Sequence, residues 1–270
     1  MGGAESADQL IPEPETIYER TKEEGRRRLT RPPLEELSTA LAAGFDIAAG
    51  VIIMALLVHF TERQFGRDVA HVIGALGFGF GFVFLIVGRG ELFTENFLVP
   101  IAGLDHEEID RPLLNLTKLW LISPLGNILG GLVIILIVTT HSVLPFGTGA
   151  AMKDIAETTH ANGVLALFMS AVFAGALITA MTWFVEGQAT MMPRIVVAWV
   201  CGAFLALGQL NHVIVITLEL IFGYRYGAHF NWAFIAGNFA LAAVGNLLGG
   251  IGLVTLNRLT QGKAGRSASA

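Results

Sequence analysis

The chain predicts an all-α integral membrane protein of six spans, arranged as two inverted three-helix repeats with the second and fifth spans interrupted. Three observations carry this. The 270 residues are 53% hydrophobic and only 14% charged, with a mean hydropathy of +0.63, whereas soluble domains carry about 25% charged residues. The charges cluster and leave apolar runs of the ~20 residues that a bilayer crossing needs. The hexapeptide GNILGG at Gly126–Gly131 recurs as GNLLGG at Gly245–Gly250, an offset of 119. Applied backwards, that offset lays the polar interruption GRGELFTEN at Gly88–Asn96 over Leu207–Val215, where Gly208, Gln209, Leu210, Asn211 and His212 stand, and lays Gly44 over Gly163. Long apolar stretches broken at matching places in two repeats point to a transport site.

In chain order, residues 1–33 form a polar tail of mixed charge, including Glu13, Glu19, Arg20, Glu23, Glu24, Arg26, Arg27 and Arg28. This reads as a solvated helix near the membrane surface without a regulatory role. It lacks a cleavable signal pattern, so the first span directs insertion. A transport domain at 34–259 follows, with one repeat at about 34–141, the second at about 160–259, and a short C-terminal tail at 260–270. The first span covers Leu37–Phe60. The second, Val69–Leu104, is too long for one straight crossing at ~1.5 Å per residue. The third covers Leu114–His141, the fourth Ala161–Val185, the fifth Arg194–Phe222 (again interrupted), and the sixth Trp232–Leu259.

Three spans per repeat is an odd number, so the second copy enters from the opposite face. Six spans place both termini on one side. That side collects Arg20, Lys22, Arg26, Arg27, Arg28, Arg31, Arg111, Lys118, Arg194, Arg258, Lys263 and Arg266, against Arg63, Arg67, Lys153 and Arg225 opposite. Positive-inside reasoning makes it the cytoplasm. The span glycines, among them Gly74, Gly77, Gly79, Gly126, Gly130 and Gly245, serve close helix packing.

A helix broken inside lipid must face protein or a wet cavity. Two breaks meeting near the midplane point half-helix N-termini at each other, an anion-attracting centre built from backbone. His212 lies at the second break, and an ionisable residue at that depth suggests function. Asn211 stands beside it as a holder of substrate oxygens. At the first break Thr94 offers a hydroxyl, and Leu92 and Phe93 a hydrophobic constriction. Glu91 is expected to cap the following half-helix or to pair with Arg89, which either serves as that partner or collects substrate. Asp46 is expected to face the bundle interior with a polar partner, and Asn238 either bonds between helices or faces the pore. Glu219 is placed near the outer, exposed end of the fifth span.

Other chemistry is missing from the pattern. Cys201 is the sole cysteine, and HExxH, CxxC, P-loop and GxSxG motifs are absent. This excludes a metal site, a bound cofactor and enzymatic activity as expectations. Basic clusters lie only in the tail, which argues against nucleic acid.

These residues resemble the formate/nitrite transporter family. GELFTEN at Gly90–Asn96 is similar to its G-[AS]-E-L-F-T-x-N element, supported by the paired GN-x-x-GG signatures, Asn238 ahead of Asn246, and the histidine at the fifth-span break. The resemblance implies an aquaporin-like six-helix protomer, a homopentamer with one pore per subunit, and passage of a small monovalent anion such as formate or nitrite. It makes His212 the central histidine, Thr94 the loop threonine and Leu92 the constriction. The chain departs from the family where a glutamate becomes Asn211, where the Asn-Met pair becomes Ile216-Thr217, where Asn162 and Leu167 replace a lysine and an asparagine, and where Leu241 replaces a proline. The functional reading is a proton-linked anion transporter or channel. A pore for a small neutral solute and a non-transporting scaffold or sensor stand as alternatives.

Overall fold

The computed structural model describes residues 12–141 and 143–269, with side chains to residue 264. The start of the polar tail, Ser142, the side chain of Arg266 and the very end of the C-terminal tail lie outside the described residues. Among the described residues the structure is helical throughout, without strands. Five helical stretches are long and apolar enough to cross a membrane: Pro33–Phe65, Arg67–Gly88, Pro112–Val138, Val164–Glu186 and Trp232–Ala264.

The elements follow the sequence closely. Helix α1 (Pro14–Leu29) is polar and precedes the first spanning helix, α2 (Pro33–Phe65). Helix α3 (Arg67–Gly88) ends at the first break, which continues through a 3-10 turn (Phe93–Phe97) into the short α4 (Val99–Gly103). Helix α5 (Pro112–Val138) completes the first half. The second half runs through α6 (Thr148–His160), α7 (Val164–Glu186), α8 (Met191–Leu207), α9 (Val213–Arg225) and α10 (Trp232–Leu247). A π-helical segment (Leu248–Thr255) then leads into α11 (Leu256–Ser269). The second predicted span therefore divides into α3 and a 3-10 turn with α4, and the fifth into α8 and α9. Helix α6 was not anticipated; its alternating polar and apolar residues are too short a run to register as a span.

Small residues set the helix spacing. A side chain on Gly44 of α2 would overlap the Asn127 carbonyl of α5, and one on Gly175 of α7 would overlap the Asn246 backbone of α10. Gly175 is thus the counterpart of Gly44. The expected counterpart, Gly163, caps α7 in open space. Gly25 of α1 sits on Gly103 of α4, and Ala156 of α6 sits on Gly223 of α9 in the same manner. Between α3 and α8, Gly79 receives the ring of Trp199, while Gly202 receives the ring of Phe82. The π segment brings Gly249 and Gly250 against α7 and Phe97, and Thr255 Oγ1 donates to the Gly250 carbonyl at 2.9 Å and the Phe97 carbonyl at 2.9 Å.

The N-terminal segment is no bystander. Tyr18, Thr21 and Arg28 are buried, and α1 lies against α4, α5, α7 and α11. The expectation of a solvated tail fails because its arginines meet buried acceptors of the membrane domain.

Candidate functional site

Both breaks are built by one device from different residues. Helix α3 stops on Arg89, whose left-handed backbone (φ 55°) lets the Gly90 N–H reach the Leu85 carbonyl at 2.9 Å. Helix α8 stops on Gln209 (φ 47°), and the Leu210 N–H reaches the Leu205 carbonyl at 3.0 Å. This is the usual hydrogen-bonded stop of a helix, made twice without glycine at the left-handed position.

Two asparagines then hold the opened backbone. Asn127 Oδ1 accepts from Phe93 N–H at 2.9 Å, while its Nδ2 donates to the carbonyls of Glu91 (2.9 Å) and Ala40 (2.9 Å). Asn246 Oδ1 accepts from Val213 N–H at 2.9 Å, while its Nδ2 donates to Asn211 (3.1 Å) and Ala171 (2.7 Å). Both amide hydrogens and the carbonyl of each side chain satisfy groups that lipid could not. These are the asparagines of the two repeated hexapeptides.

The breaks meet through Thr94 and His212, both 0% exposed, with Oγ1 and Nε2 2.7 Å apart. His212 also caps α9: its Nδ1 accepts from the Val215 N–H at 3.4 Å. A ring nitrogen that accepts carries no proton, so the hydrogen of the neutral ring is on Nε2 and is donated to Thr94 Oγ1. The Thr94 hydroxyl hydrogen is then left free to donate elsewhere. Leu92 is fully buried beside it, and Phe93 packs edge-on against Phe97 with centroids 4.8 Å apart. The first break is followed by a five-residue 3-10 turn and a five-residue helix, so the facing half-helices are unequal. The thirteen-residue α9 supplies most of the N-terminal dipole at the centre.

Several other expected residues take different roles. Asn211 and Asn238 form a closed amide pair at 2.9 and 3.0 Å, and Asn211 Nδ2 also donates to the Leu167 carbonyl at 3.1 Å. Asn211 therefore has no donor left for a substrate oxygen, and Asn238 is its interhelical partner. Glu91 does not cap the following turn; Glu95 does, accepting from Leu92 N–H at 2.8 Å. Nor does Glu91 pair with Arg89. Its carboxylate takes Arg31 at 2.6 Å, Arg28 at 3.4 Å and Arg27 at 3.5 Å, because the end of α1 and the link to α2 bring three guanidinium groups over it. Arg89 makes no ion pair among the described residues and lines the cavity below. Asp46 is half-buried, and its Oδ2 has no hydrogen-bond partner among the described residues, contrary to expectation. Glu219 is only 5% exposed rather than open at a span end.

Arg28 and Arg31 are the site residues that sequence reasoning missed. Arg28 Nη1 donates to Asn96 Oδ1 at 2.9 Å inside the first break. Glu24 links Arg27 (2.6 Å) and Arg28 (3.1 Å) on the same helix. Burial works against the Glu24 charge, but the hydrogen bond from Arg27 and the charges of Arg28 and Arg27 outweigh it and hold the carboxyl at about 2. The spacing of Glu24, Arg27, Arg28 and Arg31 already places them on adjoining turns; what they face was not legible.

A cavity lies on each side of the meeting point. On the side of α1, about 550 Å³ is lined by Glu24, Arg28, Leu85, Arg89, Gly90 and Glu95 among others. On the far side only about 30 Å³ is left, lined by Ile155, Thr159, Leu205, Gln209, Leu210 and Val215 among others. Residue for residue these linings correspond: Glu24 to Ile155, Arg28 to Thr159, Arg89 to Gln209, Gly90 to Leu210 and Glu95 to Val215. At these positions the far cavity has a leucine where the near one has glycine, which narrows it, and uncharged side chains where the near one has Glu24, Arg28, Arg89 and Glu95.

Comparison with known proteins places the chain by sequence and by fold. The model of the family described as "Formate/nitrite transporter" matches residues 15–259. The "Inner membrane protein YfdC" of Escherichia coli (strain K12) is 26% identical over 246 residues, covering 90% of this chain and 77% of its own. The "Uncharacterized transporter YrhG" of Bacillus subtilis (strain 168) is 24% identical over 249 residues, covering 90% of this chain and 91% of its own. Among solved structures, one titled "FNT family ion channel" shares the fold at a TM-score of 0.73 and 20% identity, over 90% of this chain and 96% of its own. Another, titled "Pentameric formate channel with formate bound", does so at 0.69 and 17% identity, over 83% and 95%. With two clasped breaks in a helical, largely apolar fold and a family match over residues 15–259, the chain belongs to the formate/nitrite transporter family.

Proposed function

We propose that the protein carries small monovalent anions of the formate or nitrite class across the plasma (inner) membrane, linked to protons, through one pore per subunit of a homopentamer. The observation that carries this reading is the buried Thr94–His212 contact where the two breaks meet, with a cavity on either side. The fold is shared with a structure whose title names a pentameric formate channel, which supports both the anion class and the assembly.

The two halves are read as an inverted repeat about an axis in the membrane plane. Matched stops, matched asparagine clasps and the reciprocal Gly79–Trp199 and Phe82–Gly202 contacts support it, since only residues near such an axis touch their own counterparts. On this reading the repeats begin at α1 and α6, whose contacts with α4 and α9 also match. Both termini are placed in the cytoplasm on the basic residues of α1 and its neighbours.

In the mechanism, an anion enters the larger cavity among Arg28, Arg89 and Arg194. The N-terminus of α9 draws it inward, and the Thr94 hydroxyl, its oxygen already bonded to His212, donates its free hydrogen to the anion. A carboxylate of ordinary acidity is only ~0.1% neutral at pH 7, and taking the ion through the buried Leu92 contact costs several kcal/mol. Protonation removes that cost. Neutral His212 can hold a second proton only by releasing Val215 N–H from Nδ1, so its protonation is coupled to the α9 cap.

The test is uptake of formate and nitrite into proteoliposomes with and without an imposed proton gradient. Gradient-stimulated uptake of either is the expected result. Gradient-indifferent anion uptake would remove the proton linkage. Uptake of neither, with pH-independent permeation by a small neutral solute, would replace the reading with a neutral pore.

A further inference from the structure

Glu219 is the charged-type side chain least explained by the fold. It is 5% exposed, has no hydrogen bond or ion pair among the described residues, and lines the far cavity. It shares that space mainly with apolar side chains, among them Met54, Val58, Ile155, Leu210, Val215 and Ile216; of the polar ones, His71, Thr159 and Gln209, none is hydrogen-bonded to it, so an ionised carboxylate has no partner there. The counterpart in the near half is Val99, so nothing in the shared architecture calls for an acid here.

Its position along α9 matters. Seven residues separate Glu219 from His212, two turns and about 10 Å along one helix face. Val215 and Ile216 lie between them on that face and line the same cavity. The face 212–215–216–219 thus runs from the Thr94 contact outward to the carboxyl. A proton is scarce at the inner end: the Nε2–H of neutral His212 is engaged in its hydrogen bond to Thr94 Oγ1, and Nδ1 accepts from the Val215 N–H. The far cavity adjoins a second one of about 150 Å³, with which it shares Val58, His71, Ile155 and Gln209. The ionisable groups facing Glu219 are His71 of α3 in its own cavity, then Glu62 of α2, Arg67 and Asp68 at the start of α3, and Asp154 of α6 in the adjoining one. The elements packed from the other sides, α5 and α10, bring no charged side chain into either cavity.

We infer that Glu219 is a proton-donating substrate site of the far entrance, where a monovalent oxyanion of the carboxylate class is received and neutralised. The Glu219 O–H bond breaks and an O–H bond forms on the anion, which goes on as the neutral acid toward Thr94. Glu219 is left as a carboxylate and regains its proton from water on the far side through the adjoining cavity, past His71. This rests on the anion-carrying reading above and adds the residue that supplies the proton.

The experiment compares wild type, Glu219→Gln and Glu219→Asp as purified oligomers of equal size, reconstituted in liposomes. Formate uptake is followed while pH is varied on the far side alone, and infrared difference spectra of the same samples are recorded across the titration. In wild type, uptake rises as far-side pH falls. Glu219→Gln is expected to lose that dependence and to fall roughly ten- to a hundredfold at the acid end. Glu219→Asp is expected to keep a pH dependence with a displaced midpoint. A Gln variant of normal assembly with the wild-type rate and pH profile overturns the inference while leaving proton-linked transport intact. If wild type carries neither formate nor nitrite, the transport reading itself has failed. The infrared spectra then decide on the site: a protonated-carboxyl band lost in Glu219→Gln supports a proton-holding Glu219, and absence of that band in wild type overturns it.

Discussion

Thr94 and His212 are bound so closely that each can be tested through the other. Thr94→Val keeps the side-chain shape but leaves His212 Nε2–H buried without an acceptor, a cost of about 1–3 kcal/mol. It also removes the hydroxyl hydrogen proposed to meet the anion. Flux is expected to fall by about tenfold or more, while Thr94→Ser, which keeps the hydroxyl, holds most of it. A Thr94→Val oligomer transporting at the wild-type rate would take the hydroxyl out of the mechanism. His212→Phe fills the same buried volume and should abolish the response to a proton gradient; retained full flux would remove the histidine likewise. The clasps are a separate matter of stability. Asn127→Ala and Asn246→Ala each strip three buried hydrogen bonds from a broken backbone. Each is expected to destabilise by about 2–4 kcal/mol, read as a lower midpoint of thermal unfolding in detergent. Equal loss at both positions would be the mark of equivalent roles.

At the scale of elements, α1 is held by charge and α2 and α7 by the absence of side chains. Glu24 has its carboxyl depressed to about 2, so its bridge to Arg27 and Arg28 is fully present above the ordinary value of 4.5 and is lost as pH falls from there toward 2. Helix α1 should loosen over that window, seen as rising protease cleavage near Thr30, and Glu24→Gln should show the loosened state already at neutral pH. Gly44→Ala and Gly175→Ala would each drive a methyl into a carbonyl of the facing helix, so both should lower stability by about 1–3 kcal/mol. Much of this level was legible beforehand. The spans, the two interruptions and the hexapeptides follow from hydropathy and repetition, signals that run along the chain. The partners of Glu91 and of Arg28 were not, since neither spacing nor composition says which face of a polar helix turns toward the membrane domain. The mispairing of Gly44 with Gly163 has a related cause. A single offset of 119 suits the hexapeptides, but the breaks correspond at 120 and the first helices of each half at 131, because the connecting segments differ in length.

On the inverted-repeat reading proposed above, the whole molecule is a duplicated frame whose halves carry different chemistry. Backbone stops and asparagine clasps are kept in both, while the groups that meet a solute differ: Leu92 stands opposite His212, Glu91 opposite Asn211, and Arg89 opposite Gln209. Proton-linked uptake is the expectation that belongs to this scale, and it depends on the occlusion between the cavities, where Leu92, Thr94 and His212 are buried to the last percent. The cavities on the two sides are also of very unequal size, about 550 Å³ against about 30 Å³ with an adjoining one of about 150 Å³. A conduit with a roomy antechamber at one mouth and a tight one at the other should rectify. Solute offered from the roomy side would accumulate ahead of the barrier and saturate at low concentration, whereas solute offered from the tight side would climb almost linearly with supply.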